Sequence, residues 1–475
     1  MRNASMWFKR TYAVAVGGVL LSALAGCTVG PKYKQPNYQA PAAFRGADDA
    51  AITSAAESSL GDQQWAQVFR EPELQALIKT ALTNNFDLRI AAQHIVEQQA
   101  QVQITRSQQF PTVSVGGTGL GLDIPSLGSS NSIGSPLAEG SFSLSAAWNP
   151  DFWGLYRKQT EAARAQLLSQ TWAQRAVRLT LVQEVATSYI QLRALDRQLE
   201  ITKQTLAVRQ DSVKLTETLE RGGSVPLSDV RQAEQLLYTA TSEVPQLEQQ
   251  IQQQENALSL LLGANPGPIA HTDPTALTPP PQDLPTGIPS QLLTRRPDIQ
   301  EAEAQLKEAN ANIGVARAQF FPQLSLSASA GVGGDSFPNI FSTGSRTIYG
   351  LGSLTQPIFE GGKLRGQLNL SKATEQEMLI EYQKTIAGAF HDVSNALIAL
   401  NKQRAYREQQ EKLVAAAQDA TRLARIRYQG GSTAYLEVLT TDSNLFSAQL
   451  NLTTAQQGEA LALVQLYSAL GGGWQ

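Results

Sequence analysis

Few residues in this 475-residue chain could do chemistry, and they are scattered. Cys27 is the only cysteine, so no intrachain disulfide can form, and an exported chain would need another use for its thiol. His94, His271 and His391 are the only histidines, and they share no metal-ligand spacing. No Gly-x-x-x-x-Gly-Lys-Ser/Thr run occurs, and no Gly-x-Gly-x-x-Gly opens a helix after a strand. Gly331-Val332-Gly333-Gly334 reads as a turn. Lys plus Arg number 38 against 41 Asp plus Glu, dispersed and without aromatic interleaving, which argues against a nucleic-acid partner. With no nucleophile and base that can be paired, neither an enzyme nor a metal or cofactor is expected. One charge pattern stands out: Asp229 lies five residues beyond Gly222-Gly223-Ser224, and Glu437 five beyond Gly430-Gly431-Ser432. An acid there complements the dipole of a helix start, and acids crowded at a constriction favour cations.

The elements that must position these residues are written twice. Phe110-Pro111 returns as Phe321-Pro322 after 211 residues, Pro150 as Pro357 after 207, and Gly222-Gly223-Ser224 as Gly430-Gly431-Ser432 after 208. Kept order and kept interval indicate an internal duplication. Each half reads as a helix, a strand, a loop, a strand, a very long helix, a Gly-Gly-Ser turn and a returning helix. The expected strands are 112–122 and 141–148, then 323–333 and 347–355. In Gln323 to Gly331, Leu324, Leu326, Ala328 and Ala330 alternate with Gln323, Ser325, Ser327 and Ser329, a two-residue period. Phe142, Leu144, Ala146 and Trp148 alternate with serines in the same way, whereas the last strand alternates weakly. Strands apolar on one side and polar on the other suit a barrel with lipid outside and water inside.

The long helices are expected over 155–220 and 363–428, with returning helices over 227–262 and 434–470. Each long helix would reach about 100 Å. Recurring charges such as Arg164, Arg175, Arg178, Glu184 and Arg193 exclude a membrane span, while Leu167, Val177, Leu181, Val185 and Ile190 form a coiled-coil-like seam. Four strands cannot close a membrane barrel, and open edges in lipid are costly, so several copies must combine their strands. Strand number alone leaves a dimer or a trimer open.

Residues 1–26, with Arg2, Lys9, Arg10 and a short apolar run, read as a signal peptide. Residues 27–64, rich in Pro, Ala, Ser and Gln, read as an extended tether. The remaining divisions are a first repeat at 65–263, a Pro-rich crossover at 264–296 and a second repeat at 297–475.

The stretch Arg295-Arg296-Pro297-Asp298, running through Phe321-Pro322 into the serine-rich strand, closely resembles the signature of TolC-like outer-membrane efflux factors, in particular their NodT-type lipoprotein branch. Leu24-Ala25-Gly26-Cys27 resembles the bacterial lipobox, which implies cleavage before Cys27 and a covalent lipid on it; Thr28 in place of Asp implies the outer membrane. The resemblance implies an α+β membrane protein: a homotrimer whose four strands per copy form a 12-stranded transmembrane β-barrel, continued by a long α-helical barrel in the periplasm. Its implied role is the passive exit duct of a tripartite efflux pump for drugs or other small toxic compounds. A periplasmic adaptor and an inner-membrane pump, expected to be of the RND type, would be its partners. In such a trimer Asp229 and Glu437 would make a ring of six carboxylates at the periplasmic aperture. The family pattern of an aromatic, a basic residue and acids there falls on Tyr428 and Glu437, with Thr433 and Thr440 where others have Arg and an acid; Arg425 or Arg427 could stand in. Gly222, Gly223, Ser224, Gly430, Gly431 and Ser432 are the implied adaptor contacts. The alternatives are the outer-membrane duct of a type I protein secretion system and, in another class, a periplasmic coiled-coil lipoprotein acting as a spacer; a spacer has no use for the alternating strands.

Overall fold

The structure, a computed structural model, describes residues 28–46, 59–122, 137–270, 285, 287–334, 339 and 346–474. Cys27, the signal segment 1–26, His271 and most of the two loops between paired strands lie outside the described residues. The helices are α1 (Trp65–Val68), α2 (Pro72–Asn84), α3 (Phe86–Ser107), α4 (Leu155–Arg221), α5 (Leu227–Leu261), α6 (Leu292–Arg295), α7 (Pro297–Ala318), α8 (Lys363–Gln429) and α9 (Tyr435–Ala469); the strands are β1 (Thr112–Leu122), β2 (Leu137–Trp148), β3 (Gln323–Gly334) and β4 (Arg346–Thr355). The helix expected at the start of the first half is broken: Asn85 leaves the helical conformation with ψ of 135°, and its side-chain oxygen accepts from the amide of Leu88, so α2 ends and α3 begins there.

The duplication reappears as matched lengths. α3 and α7 each hold 22 residues, α4 and α8 each 67, and α5 and α9 each 35. β2 begins four residues before its expected start, because Gly140, Glu139, Ala138 and Leu137 continue the pairing with β1. The repeats are nonetheless not separate bodies. One compact unit takes residues 1–36, 95–170 and 302–382; the other takes 37–94, 171–301 and 383–475, so each draws on both repeats.

The first unit holds the sheet. Its order is β1-β2-β3-β4, every pair antiparallel, which leaves β1 and β4 as edges. Directly paired residues share a face. Val113 pairs with Ala146, Val115 with Leu144, Leu144 with Ala330 and Ala330 with Ile348, so one apolar face runs across all four strands. The other carries Ser114, Ser145 and Ser329 in one row and Ser143 with Gly331 in the next. Tyr349 and Leu351 of β4 fall on this polar face, which is why that strand alternates weakly. Val113, Val115, Leu144, Ile348 and Leu354 are all exposed, so nothing among the described residues covers the apolar face. No described helix is long and apolar enough to cross a membrane.

The second unit is helical and has an ordinary core. Leu181, Val182, Val185, Ala186, Tyr189 and Leu192 of α4, Ile386, Ala389, Val393 and Leu400 of α8, and Ala455, Ala462, Leu466 and Tyr467 of α9 are buried. Buried charge there is paired: Glu459, 1% exposed, accepts from the guanidinium groups of Arg404 and Arg407. The Arg295-Arg296-Pro297-Asp298 stretch opens α7 in this unit. Pro297 takes the first helical position, where its missing N–H costs nothing. Arg296 pairs with Asp298 at 2.7 Å and with Asp392 of α8 at 3.2 Å, and donates to the carbonyl of Ala469 at the end of α9. Arg295 pairs with Asp62 at 2.6 Å. This motif ties helix ends together.

Candidate functional site at the Gly-Gly-Ser turns

Both hairpin turns lie in the second unit and are built alike. At the end of α4, Gly223 donates to the carbonyl of Glu220 and Ser224 to that of Leu219, both at 2.8 Å; at the end of α8, Gly431 donates to Tyr428 and Ser432 to Arg427, both at 2.9 Å. This paired hydrogen bonding closes a helix only if one residue turns left-handed. Gly223 and Gly431 do so, with φ of 70° and 69°. A Cβ at either would meet no atom within 4 Å, so backbone conformation, and not space, requires glycine. Gly222, Gly223, Ser224, Gly430 and Gly431 are exposed, as is Ser432, and so free to meet a partner.

Behind the turns Val213 of α4, Ala233 of α5, Ala424 of α8 and Tyr435, Val438 and Leu439 of α9 pack as one cluster, with Tyr428, Leu236 and Leu237 against it. This joins the two hairpins. The rings of Tyr428 and Tyr435 lie 5.2 Å apart. Burial pushes both phenols above their ordinary pKa, and the Asp229 carboxylate adds to the shift in each. Tyr428 and Asp229, one on each hairpin, are therefore neighbours.

Glu437 accepts from Arg427 at 2.8 Å and from the hydroxyl of Thr433, so its charge is matched within the chain. Arg427 is thus the basic partner of the acid. Arg425 does not stand in for it; it pairs with Asp442 at 3.1 Å. Asp442 also takes the Nε of Arg209 at 3.1 Å, and Arg209, only 4% exposed, donates to the carbonyl of Leu236 and lies over the ring of Phe446 at 5.1 Å. Asp442 is the residue sequence reasoning missed. It bridges α4 and α8, and a lone Asp inside a helix gives no local sign of two arginines on other helices.

No group of three metal-ligating side chains occurs among the described residues. Behind the turns, the aromatic pair and the Arg209–Asp442–Arg425 bridge tie the two hairpins together.

A sequence profile described as outer membrane efflux protein matches residues 77–264 and 288–472, one segment in each repeat. The chain is 37% identical over 456 residues to the probable efflux pump outer membrane protein TtgC of Pseudomonas putida, covering 95% of this chain and 93% of that one. It is 33% identical to the cation efflux system protein CusC of Escherichia coli, covering 95% and 97%. Among solved structures, CusC superposes with a TM-score of 0.82 at 30% identity over 94% of this chain and 100% of that one, and the open-state MtrE outer membrane channel of Neisseria gonorrhoeae with 0.82 at 28% over 94% and 99%. A match that spans both repeats, both hairpins and all four strands makes this chain a member of the outer membrane efflux protein family.

Proposed function

We propose that the chain is one of three identical subunits of an outer-membrane exit duct, the last component of a tripartite efflux pump. The observation that carries this reading is the sheet: four strands with one continuous apolar face and, among the described residues, no cover for that face and no partner for either edge. Twelve strands from three copies would close such edges and turn the apolar face to lipid. The paired 67-residue helices carry the duct on through the periplasm. Cys27 bears the lipid that holds the chain to the outer membrane, and the tether that follows leads from it.

At the far end, the exposed Gly-Gly-Ser turns meet a periplasmic adaptor, which docks the duct to an inner-membrane pump of the RND type. Tyr428, Asp229, Glu437 and Arg425, with Arg427, Asp442 and Arg209, set how tightly the hairpins close the aperture. The duct carries no energy source and transforms nothing. Its cargo is small toxic compounds, in keeping with relatives named for toluene, antibiotic and cation efflux. Purified full-length protein added to a planar lipid bilayer should give discrete single-channel steps, larger after Asp442→Ala. Absence of any conductance from detergent-stable oligomers would contradict the reading.

A further inference from the structure

The apolar face of the sheet carries a single charge. Directly paired residues share a face, so the register fixes the side each position takes. Arg346 pairs with Val332, Val332 with Phe142 and Phe142 with Gly117, one row beyond Leu144, Ala330 and Ile348 on the apolar face. Glu139, the other charged residue of the four strands, falls in the opposite register, with Thr118 and Ser141. Among the described residues, then, no acid shares the face of Arg346, whose side chain is exposed. Strand β1, which would meet β4 of another copy in the proposed barrel, contains no charged residue at all.

An arginine facing lipid is costly at the middle of a membrane and tolerated near its boundary. The register places Arg346 near the boundary. It stands eight residues along β4 from Leu354 at the helical end of the strand, which at about 3.3 Å per residue and a tilt of about 40° is a height of about 20 Å. An apolar band is about 25 Å tall, so the guanidinium reaches the headgroup layer. The next outward row is Gly119, Gly140 and Gly334, and no side chain stands between it and that layer. On the other side the surface is apolar and open: Ile348 is 83% and Leu144 50% exposed, and a shallow groove runs over Phe142, Leu144, Ala330, Val332 and Ile348 to Arg346.

A cation at the rim of an apolar groove is the complement of an acyl chain joined to an anionic head. The strand ends that lead to the long helices face the periplasm in the proposed duct, so Arg346 lies at the opposite, outer end. The outer leaflet of such a membrane is built of lipid A, a disaccharide that carries phosphates and several acyl chains. Resting on the outer-membrane duct reading, we propose that Arg346 and this groove form a binding site for lipid A. The guanidinium holds a phosphate through paired N–H donors, and an acyl chain lies along Phe142, Leu144 and Ile348.

Full-length protein, stripped of lipid in mild detergent, can be titrated with lipid A and the bound lipid counted by native mass spectrometry. Loss of one charge-assisted contact in Arg346→Gln should weaken binding about tenfold, while Arg346→Lys should keep most of it. Adding Val332→Arg, in the same row one strand over, to Arg346→Gln should restore it. The unaltered protein should bind lipid A lacking its phosphates, and phosphatidylglycerol, about tenfold more weakly than lipid A, and inorganic phosphate should not compete. Equal binding of lipid A by the unaltered protein and Arg346→Gln, or equal binding with and without phosphates, would overturn the site. Phosphatidylglycerol bound as tightly as lipid A would overturn the assignment of the ligand. Single-channel steps recorded from the same preparations separate the two readings: conductance without selective lipid binding removes this site and leaves the duct, and absence of conductance from the unaltered protein removes the duct itself.

Discussion

At the scale of single residues, burial separates the two acids of the turn region. Asp442 is shared by Arg209 and Arg425, with Arg209 nearly inaccessible, whereas the Glu437 and Arg427 side chains are 38% and 54% exposed. Removing one partner of a buried pair leaves an uncompensated charge and costs about 3–5 kcal/mol; an exposed pair contributes about 1 kcal/mol or less. Asp442→Ala should therefore open the hairpin ends to limited proteolysis near residues 221–225 and 429–433, and Glu437→Gln should leave cleavage close to the native rate. Equal sensitivity of the two variants would show that the buried bridge does not hold the hairpins. Spacing from the turns singled out Asp229 and Glu437, and the family resemblance added Tyr428. Asp442 stayed hidden because its partners lie on other helices.

The elements were more legible, for reasons that lie in short-range physics. A two-residue period of serine against Leu or Ala can only be a strand with two different faces, and Gly-Gly-Ser between two long periodic runs can only be a helix end and a return. The break at Asn85 was not read, since α2 and α3 form one uninterrupted helical pattern apart from that residue's capping side chain. Two predictions belong here. Gly431→Ala must hold an L-residue at φ near 69°, at a cost of about 1–2 kcal/mol, so thermal unfolding should begin earlier; Gly430→Ala, whose φ is not left-handed, should be nearly neutral. The second concerns Glu184 on α4. Burial raises its carboxyl above the ordinary value of 4.5, with Asp87 adding to the shift. Between 4.5 and that raised value the folded chain keeps a proton the unfolded chain has lost, so this group lowers stability as pH rises through the window and keeps it lower above. Glu184→Gln should raise the unfolding midpoint at pH 7 and flatten its fall above pH 4.5. Parallel curves for the two proteins would refute this.

For the whole molecule, the chain is incomplete by itself. It exposes an apolar sheet face and two strand edges. In the proposed assembly these are the surfaces that meet other copies and lipid. Sequence alone could show that four strands do not close a barrel but left the number of copies open, because copy number depends on curvature that no residue pattern records. The proposed duct requires three copies in one continuous tube. The most direct test is cross-linking in intact cells, followed by extraction in mild detergent and determination of the mass of the complex and its components. The expected complex holds three copies of this chain together with a periplasmic adaptor and a proton-driven inner-membrane pump. Three copies joined to an ATP-driven exporter would move the duct to protein secretion, and a single copy outside the outer membrane would contradict the claim.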